Sequence, residues 1–253
     1  MPSDMTLEDY LAQGGVLTSP DNASPRYRAE VMRLMASFVD SELAGAAGFA
    51  DIINDAPGVT ERIAAARIVL EKNDHAGQVL KLMGEFGANT DRYANHHPWT
   101  DRLPRDADVG TDRTTSDMRL AVFNYPLDGW VDAVVMNLLM GRAVGVQLGE
   151  YTHISYQPLA EAFRRIGPVE TRHAELADEG VADLIAKGEQ KAVQASVDYW
   201  WPRVAQSFGS KGSKRTETLR SLGLRKSDNA DLQAQWESET SELLDGHGLR
   251  VPA

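Results

Sequence analysis

Five polar side chains occupy positions where the spacing of a helix calls for apolar residues. Glu170 and His173 lie three residues apart, so both face the same side of a helix and can reach one metal ion. Glu42 interrupts an apolar stripe earlier in the chain, and Lys72 with His75 interrupts another. A buried charge must be paired or bound to metal, so these positions indicate a site inside a helical bundle.

Two kinds of site are compatible with these residues. In the first, Glu42, His75, Glu170 and His173 bind a divalent metal ion, since carboxylate and imidazole are common ligands of such ions. In the second, Lys72 lies between Glu42 and Glu170 in a buried ion-pair network, and the two histidines are hydrogen-bonded core residues. The sequence leaves both open.

The elements that must position these residues are predicted to be long helices. Ser24 and Pro25 favour a helix start, and helices are expected over about 25–55, 60–86, 127–151 and 155–187. The polar, aperiodic stretch 88–116 is long enough to be a crossover between the second and third helices, as in ferritin-type bundles. The prediction is an all-α, ferritin-like four-helix bundle over 25–208, preceded by a polar leader (1–24) and followed by a C-terminal helical tail (209–253).

Composition excludes several classes of protein. The chain of 253 residues has no cysteine, which rules out disulfides, iron–sulfur clusters and thiolate metal sites. A formal net charge of −11 argues against nucleic-acid binding, which depends on Lys and Arg. Neither a signal peptide nor an apolar run of roughly 20 residues is expected, which predicts a cytoplasmic protein without a membrane segment.

Other groups of residues are weaker candidates. An aromatic and imidazole cluster in the crossover is expected to be an ordered loop packed on the bundle, with a second metal or substrate site as the alternative. The third helix has polar residues that could line a cavity or lie at its surface, and the fifth helix has aromatic residues that suit a core or an interface. A basic tail could bind phosphates or be solvated. These groups are Tyr93, His96, His97 and Trp99; Asn137, Gln147 and Glu150; Tyr199, Trp200 and Trp201; and Lys211, Lys214, Arg215, Arg225 and Lys226.

Several short motifs resemble those of the phenylacetyl-CoA epoxidase subunit family, which belongs to the ferritin-like di-iron oxygenases. The resemblance covers roughly residues 25–250 and depends on the order and spacing of the motifs together. They are Asp40-Ser41-Glu42-Leu43, Asp74-His75-Ala76-Gly77, Ser155-Tyr156-Gln157-Pro158 before Glu170-Thr171-Arg172-His173, and a tail with Arg215-Thr216, Gly223-Leu224, Asn229 and Trp236.

The resemblance implies a metal centre and a reaction. In the catalytic subunits, activated oxygen is inserted into the aromatic ring of a CoA thioester, and a separate flavin and iron–sulfur reductase supplies electrons. The matching ligand positions here are Glu42, His75, Glu170 and His173. Lys72 replaces an expected bridging glutamate, and Met140, with Gly141 beside it, replaces an expected carboxylate of the third helix. Glu71, next to Lys72, would need a turn of the helix to substitute for the glutamate.

The expected function is therefore an oxygenase component that acts on a CoA thioester or related acyl substrate. Its centre would be modified, with one or two iron ions or manganese, and Glu42 and Lys72 are the candidates for a catalytic role. The alternative is a non-catalytic structural subunit in which Lys72 replaces the metal charge. Either one is expected to form a homodimer or to pair with a related ferritin-like subunit.

Overall fold

The computed structural model describes residues 5–110 and 117–252, apart from the side chains of Ala94 and His96. Within these residues the fold is all-α, and the only β-type contact is an isolated bridge between Leu17 and Tyr156. The helices are α1 (Leu7–Ala12), α2 (Pro25–Ile52), α3 (Val59–Glu85), α4 (Thr90–His96), α5 (Gly129–Tyr151), α6 (Gln157–Ala186), α7 (Gln190–Gln206), α8 (Lys214–Ser221) and α9 (Asn229–Gly246). Three short 3-10 helices lie at Pro20–Asn22, Ile53–Asp55 and Ala121–Asn124.

Helices α2, α3, α5 and α6 form the predicted four-helix bundle. Each of the pairs α2–α3 and α5–α6 packs side by side, and contacts of α3 with α6 and of α2 with α5 close the bundle. Local sequence sets the helix ends: the Ser24 side chain accepts a hydrogen bond from the Tyr27 N–H, and Pro25 occupies the first helical position. Gly87 and Gly188 end α3 and α6 with φ of +90° and +87°, a conformation that only glycine adopts easily.

The long connection between α3 and α5 is more structured than its composition suggested. It contains α4 and the 3-10 helix Ala121–Asn124, although no apolar periodicity marks either one. Asn89 caps α4 by accepting a hydrogen bond from the Arg92 N–H at 2.9 Å. The short helix α1 was likewise missed in the polar leader.

Asp40 on α2 attaches this connection to the bundle. Its carboxylate is fully buried and accepts hydrogen bonds from Tyr93 Oη (2.8 Å), Trp99 Nε1 (3.0 Å) and the backbone N–H of Met118 (2.6 Å). The three donors come from different parts of the connection. The aromatic cluster predicted in the crossover is therefore packed on α2 through Asp40, while the side chain of His96 lies outside the described residues.

The C-terminal helices pack against α5. Trp200 and Trp236 are fully buried, and the Trp236 indole stacks on Trp201 with ring centroids 4.4 Å apart. Trp236 Nε1 also donates a hydrogen bond to the Leu139 carbonyl in the middle of α5, at 3.1 Å. The aromatic residues of the predicted fifth helix thus belong to the core.

Helix α5 corrects one expectation. By length and composition its 23 residues could cross a membrane, whereas no apolar stretch of that kind was expected from the sequence. In the fold, 72% of its most apolar stretch is buried against other helices. A central core helix passes the same test, so packing accounts for its composition.

Replacing Asp40 with asparagine should loosen the crossover. The amide keeps one acceptor but places an NH2 group against a hydrogen-bond donor, so we expect a loss of about 2 kcal/mol or more in unfolding free energy. Urea denaturation measures this loss, and limited proteolysis should show faster cleavage within residues 88–120. Asp74→Asn on the exposed face of α3 is the matched control and should have little effect. Equal stability of the two variants would contradict this role of Asp40.

Candidate metal centre

Lys72 lies at the centre of the buried polar residues of the bundle. Its Nζ is 3.2 Å from Glu42 Oε1, 3.2 Å from Glu170 Oε1 and 3.0 Å from Glu170 Oε2. All three side chains are buried, and they come from α3, α2 and α6. Helical periodicity therefore directs one charged group from each of three helices to one interior point.

His75, one turn beyond Lys72 on α3, joins the same two carboxylates. Its Nδ1 is 2.9 Å from Glu170 Oε1 and 3.3 Å from Glu42 Oε2. Burial alone would lower the pKa of His75, but the hydrogen bonds and charges of Glu170 and Glu42 outweigh burial and raise this pKa to about 9. The imidazole is thus protonated at neutral pH in the metal-free protein.

His173 is held from the opposite side by Glu71. His173 Nε2 lies 2.6 Å from Glu71 Oε2, and the Glu71 side chain is 35% exposed while that of His173 is 1% exposed. The inner nitrogen, His173 Nδ1, is 3.4 Å from Glu170 Oε1 but is not aligned for a hydrogen bond, so this contact is electrostatic. The sequence predicts that Glu71 could substitute for the bridging glutamate only after a turn of the helix. In the structure Glu71 instead contacts His173.

The charges in the centre balance without metal. Burial lowers the pKa of Lys72, but the negative charges of Glu170 and Glu42 and their hydrogen bonds reverse this effect and raise the pKa above its usual value. Burial raises the pKa of Glu170, but Lys72 and the two histidines overcome it, so the net shift is well below the usual range. Two carboxylates therefore face one ammonium and one imidazolium.

The donor set fits one divalent ion better than two. Glu42, His75 and Glu170 each offer a ligand atom, and these atoms all lie within 4.8 Å of one another. His173 is not one of these three. Two ions do not fit, because they need about six protein ligands and Lys72 places its positive charge where the carboxylates converge. One ion fits the three donors only when His75 loses a proton and Lys72 moves aside or loses its own.

The third helix cannot supply the missing carboxylate at Gly141. A Cβ atom at that position would lie 3.0 Å from the Ala174 Cβ and 3.3 Å from the Ala174 Cα of α6, so a side chain there would push α5 and α6 apart. Met140 also faces the interior, where it lines both cavities beside the centre. Asn137 fixes the same helix pair by donating to the His173 carbonyl at 3.2 Å.

A groove of about 410 Å³ reaches Glu42 from the surface, and a smaller cavity of about 30 Å³ adjoins Lys72 and Glu170. Arg33, Arg215 and Arg225 line the groove. Arg225 is 6% exposed, and its guanidinium donates to three neutral acceptors, Gln147 Oε1, Tyr151 Oη and Asn229 Oδ1. Its Nε is buried and forms no hydrogen bond within residues 5–110 and 117–252.

The structure also places the weaker candidates of the third helix and the basic tail. Gln147 lines the groove and contacts Arg225, so it is not simply a surface residue. Glu150 does lie near the end of α5, where it accepts hydrogen bonds from the backbone of Lys226 and Ser227. Of the basic tail, Lys211, Lys214 and Lys226 are exposed, whereas Arg215 and Arg225 belong to the groove.

Comparison with known proteins supports the family that the motifs resemble. Residues 11–253 match the profile of a family described as "Phenylacetic acid catabolic protein". The chain belongs to this family. It is also 24% identical over 257 residues to one of the subunits of the 1,2-phenylacetyl-CoA epoxidase of Escherichia coli (strain K12), an alignment that covers 100% of the chain and 78% of that relative.

Membership of the phenylacetic acid catabolic protein family confirms the resemblance and the helical fold predicted from the motifs. The chain is a phenylacetyl-CoA epoxidase-like protein, as expected. Within this family member, the structure brings Glu42, Lys72, His75 and Glu170 together and places His173 beside them. The metal-binding and catalytic roles of these residues are proposals.

The stability of this family member should depend on pH through His75. A pKa raised from 6.5 to about 9 stabilises the fold fully below pH 6.5, and this contribution is lost as the pH rises through 9. In chelator-treated protein, we expect the unfolding free energy to fall by roughly 2–3 kcal/mol across that range. Urea denaturation at a series of pH values measures the change.

His75→Asn should flatten this pH dependence, while His153→Asn, which alters an exposed histidine, should preserve it. A wild-type unfolding free energy that stays constant between pH 6.5 and 9 would show that His75 is not held as an imidazolium.

Proposed function

We propose that the chain is an oxygenase component that acts on a CoA thioester or related acyl substrate. The observation that supports this most directly is the groove, which joins arginines at the surface to Glu42 in the buried centre. Family membership and the similarity to an epoxidase subunit point to the same chemistry. Among Glu42, Lys72 and Glu170, only Glu42 lines the groove, so its carboxylate would meet the bound ligand first.

Arginine side chains provide the anionic end of the ligand with a binding site. Arg33 and Arg215 are 50% and 40% exposed and both contact Glu30, so they suit the solvent end of the groove. Arg225 is a buried cation whose hydrogen bonds go to neutral groups, and its Nε faces no acceptor within the described residues. Arg225 already interacts electrostatically with Glu150. A phosphate of coenzyme A would add a hydrogen-bonded negative charge, because guanidinium groups bind phosphate strongly.

The centre would hold a single divalent ion, iron or manganese, through Glu42, His75 and Glu170, with His173 adjacent. Such an ion supplies the activation of dioxygen when it is bound. The residues of the chain have separate tasks: Glu71 fixes the orientation of the His173 ring, and Lys72 competes with the ion for the two carboxylates. The surrounding helices leave Glu42, His75 and Glu170 at most 3% exposed, which would limit the access of water to the site.

Electrons would come from a separate protein. The chain has no cysteine for an iron–sulfur cluster and no flavin or nicotinamide motif, so we propose an external flavin and iron–sulfur reductase. The relative is named as one subunit of an enzyme, which supports pairing of this chain with itself or with a related ferritin-like subunit. A cytoplasmic location stays a prediction.

The ion-pair network supports a second candidate function. Lys72 already neutralises the carboxylates that would bind metal, with the help of His75. A chain in this state would be a non-catalytic structural subunit that assembles with a metal-bearing partner. The two functions differ in whether the wild-type protein binds metal.

Metal content and its dependence on Lys72 separate the two functions. After expression with excess iron or manganese, the oxygenase proposal predicts about one equivalent of metal in the wild type. Elemental analysis measures it, and Glu170→Ala should remove the metal. In Lys72→Ala the competing ammonium is gone, so added Mn²⁺ should raise the thermal unfolding midpoint more than in the wild type.

The other outcomes are equally informative. Metal in Lys72→Ala but none in the wild type would favour the structural subunit. Metal in neither protein would show that Glu42, His75 and Glu170 are not a metal site. Arg172→Ala, which removes an exposed cation near Glu170 in sequence, is the control and should leave the metal content unchanged.

Arg225 provides an independent test of the ligand. Arg225→Met removes a charged donor that the proposal assigns to phosphate, so CoA should bind about ten- to a hundredfold more weakly in isothermal titration calorimetry. Lys226→Met, the neighbouring exposed cation, is the matched control. If both variants bind CoA as the wild type does, Arg225 does not contact the ligand.

A further inference from the structure

Helix α3 exposes a line of apolar side chains to solvent. Within residues 5–110 and 117–252, five large apolar side chains are exposed, and three of them belong to α3. Val59 is 73% exposed, Ile63 56% and Leu70 70%, and the exposed Ala66 lies among them. At about 100° per residue, the four residues lie within roughly 60° of the helix circumference. They form one continuous line, here called the α3 stripe.

The spacing of the α3 stripe is that of a coiled-coil seam. Its members follow one another at intervals of four, three and four residues. This is the alternation of a and d positions in a heptad, which packs one helix against another. The opposite face of α3, with Ile68 and Lys72, is buried in the bundle, whereas no described helix of the chain covers the α3 stripe.

Two copies of the α3 stripe fit each other in one antiparallel register. When a second copy runs in the opposite direction, Ile63 meets Ala66 of that copy and Val59 meets its Leu70. Both contacts recur by twofold symmetry, so every member of the stripe faces an apolar partner. The large Ile63 and the small Ala66 share one layer, which keeps the distance between the helices even. The stripe is therefore complementary to itself.

Charged residues beside the α3 stripe oppose the parallel arrangement. In a parallel pair Arg62 would lie beside Arg67 of the other copy, five residues further along, and the two cations would repel each other. In the antiparallel pair the two sides that face α6 come together instead. Arg67 is on this side, because it lies one turn before Glu71, which contacts His173 of α6.

Helix α6 supplies an acidic partner for Arg67. Helices α3 and α6 run in opposite directions, and Glu71 lies beside His173. Six residues further along α6, the exposed Glu179 is about level with the turn of α3 that contains Ile63. Arg67 of a second copy follows the residue that meets Ile63, so it would lie beside Glu179. The charges thus match in the same register as the apolar residues.

We propose that a second copy of this chain binds the α3 stripe, with the two α3 helices packed antiparallel about a twofold axis. Contacts of Ile63 with Ala66 and of Val59 with Leu70 form the centre of the interface, and pairs of Arg67 with Glu179 flank it. The inference rests on the pairing included in the proposed function, and it names the partner and the surface. Small interfaces are weak, so the dissociation constant should be on the order of 10 µM.

Sedimentation velocity of metal-free and ligand-free protein between about 1 and 100 µM tests the dimer. The mass of the wild type should rise from 27.7 kDa toward twice that value with concentration. Ile63→Glu places a charge in the apolar centre and should weaken the dimer at least about tenfold. Val16→Glu changes an exposed valine away from α3 and is the matched control, which should dimerise as the wild type does.

Three results would overturn the proposal. They are a wild type that stays monomeric, a dimer that Ile63→Glu does not weaken, and a chain that pairs only with a related ferritin-like subunit. Because neither metal nor CoA is present, each result is independent of the metal and CoA measurements that test the proposed function.

An exchange of charges tests the flanking contacts. Arg67→Glu and Glu179→Arg should each weaken the dimer, because each places like charges together. An equimolar mixture of the two variants should dimerise as strongly as the wild type, since every contact then joins opposite charges. A mixture that is no stronger than either variant alone would contradict this register.

Disulfide formation tests the direction of the helices, because the chain has no cysteine of its own. A mixture of Val59→Cys and Leu70→Cys proteins should form linked pairs on mild oxidation, since the register brings these two positions together. Neither variant should link to itself, because two copies of the same residue would lie roughly 16 Å apart along the helix axis. Linked pairs of a single variant would indicate a parallel arrangement and overturn the proposal.

Discussion

Neutralisation of two buried carboxylates is the constraint on which the centre of this protein depends. Glu42 and Glu170 face each other inside a four-helix bundle, where an unpaired charge would cost several kcal/mol. Lys72 and His75 supply the compensating charges at 2.9–3.3 Å. The same geometry that makes the carboxylates suitable for a metal ion also binds the ammonium tightly. The ion pairs that stabilise the metal-free fold would therefore oppose the proposed binding of metal.

Helical periodicity was sufficient to predict the core of the site. Glu42, Lys72, His75 and Glu170 each interrupt an apolar stripe at mid-helix, and buried stripes of a bundle must face each other. The same reasoning located the four long helices to within a few residues. The family motifs then added the expected ligand positions and showed that Lys72 and Met140 depart from them.

Contacts across long sequence separations could not be predicted in this way. Asp40 meets donors that lie 53, 59 and 78 residues further along the chain, and no local pattern marks such partners. Glu71 reaches His173 from the neighbouring helix because it lies about 100° around α3 from Lys72, and the sequence does not reveal which residue that direction meets. The volume of the smaller cavity beside Lys72 and Glu170 depends on the gap between α2 and α5. Sequence composition does not reveal the width of that gap.

The hydrogen bond from Trp236 to the Leu139 carbonyl connects the C-terminal helix α9 to the middle of α5. Leu139 directly precedes Met140, which lines both the groove and the smaller cavity beside Lys72 and Glu170. The hydrogen bond from α9 therefore fixes the backbone next to Met140. Substitutions in α9 that break this hydrogen bond would therefore change the shape of the cavities that Met140 lines. A shortened or fused C-terminus would change these cavities indirectly, by releasing the backbone of α5. No described residue of α9 after Asn229 lines either cavity.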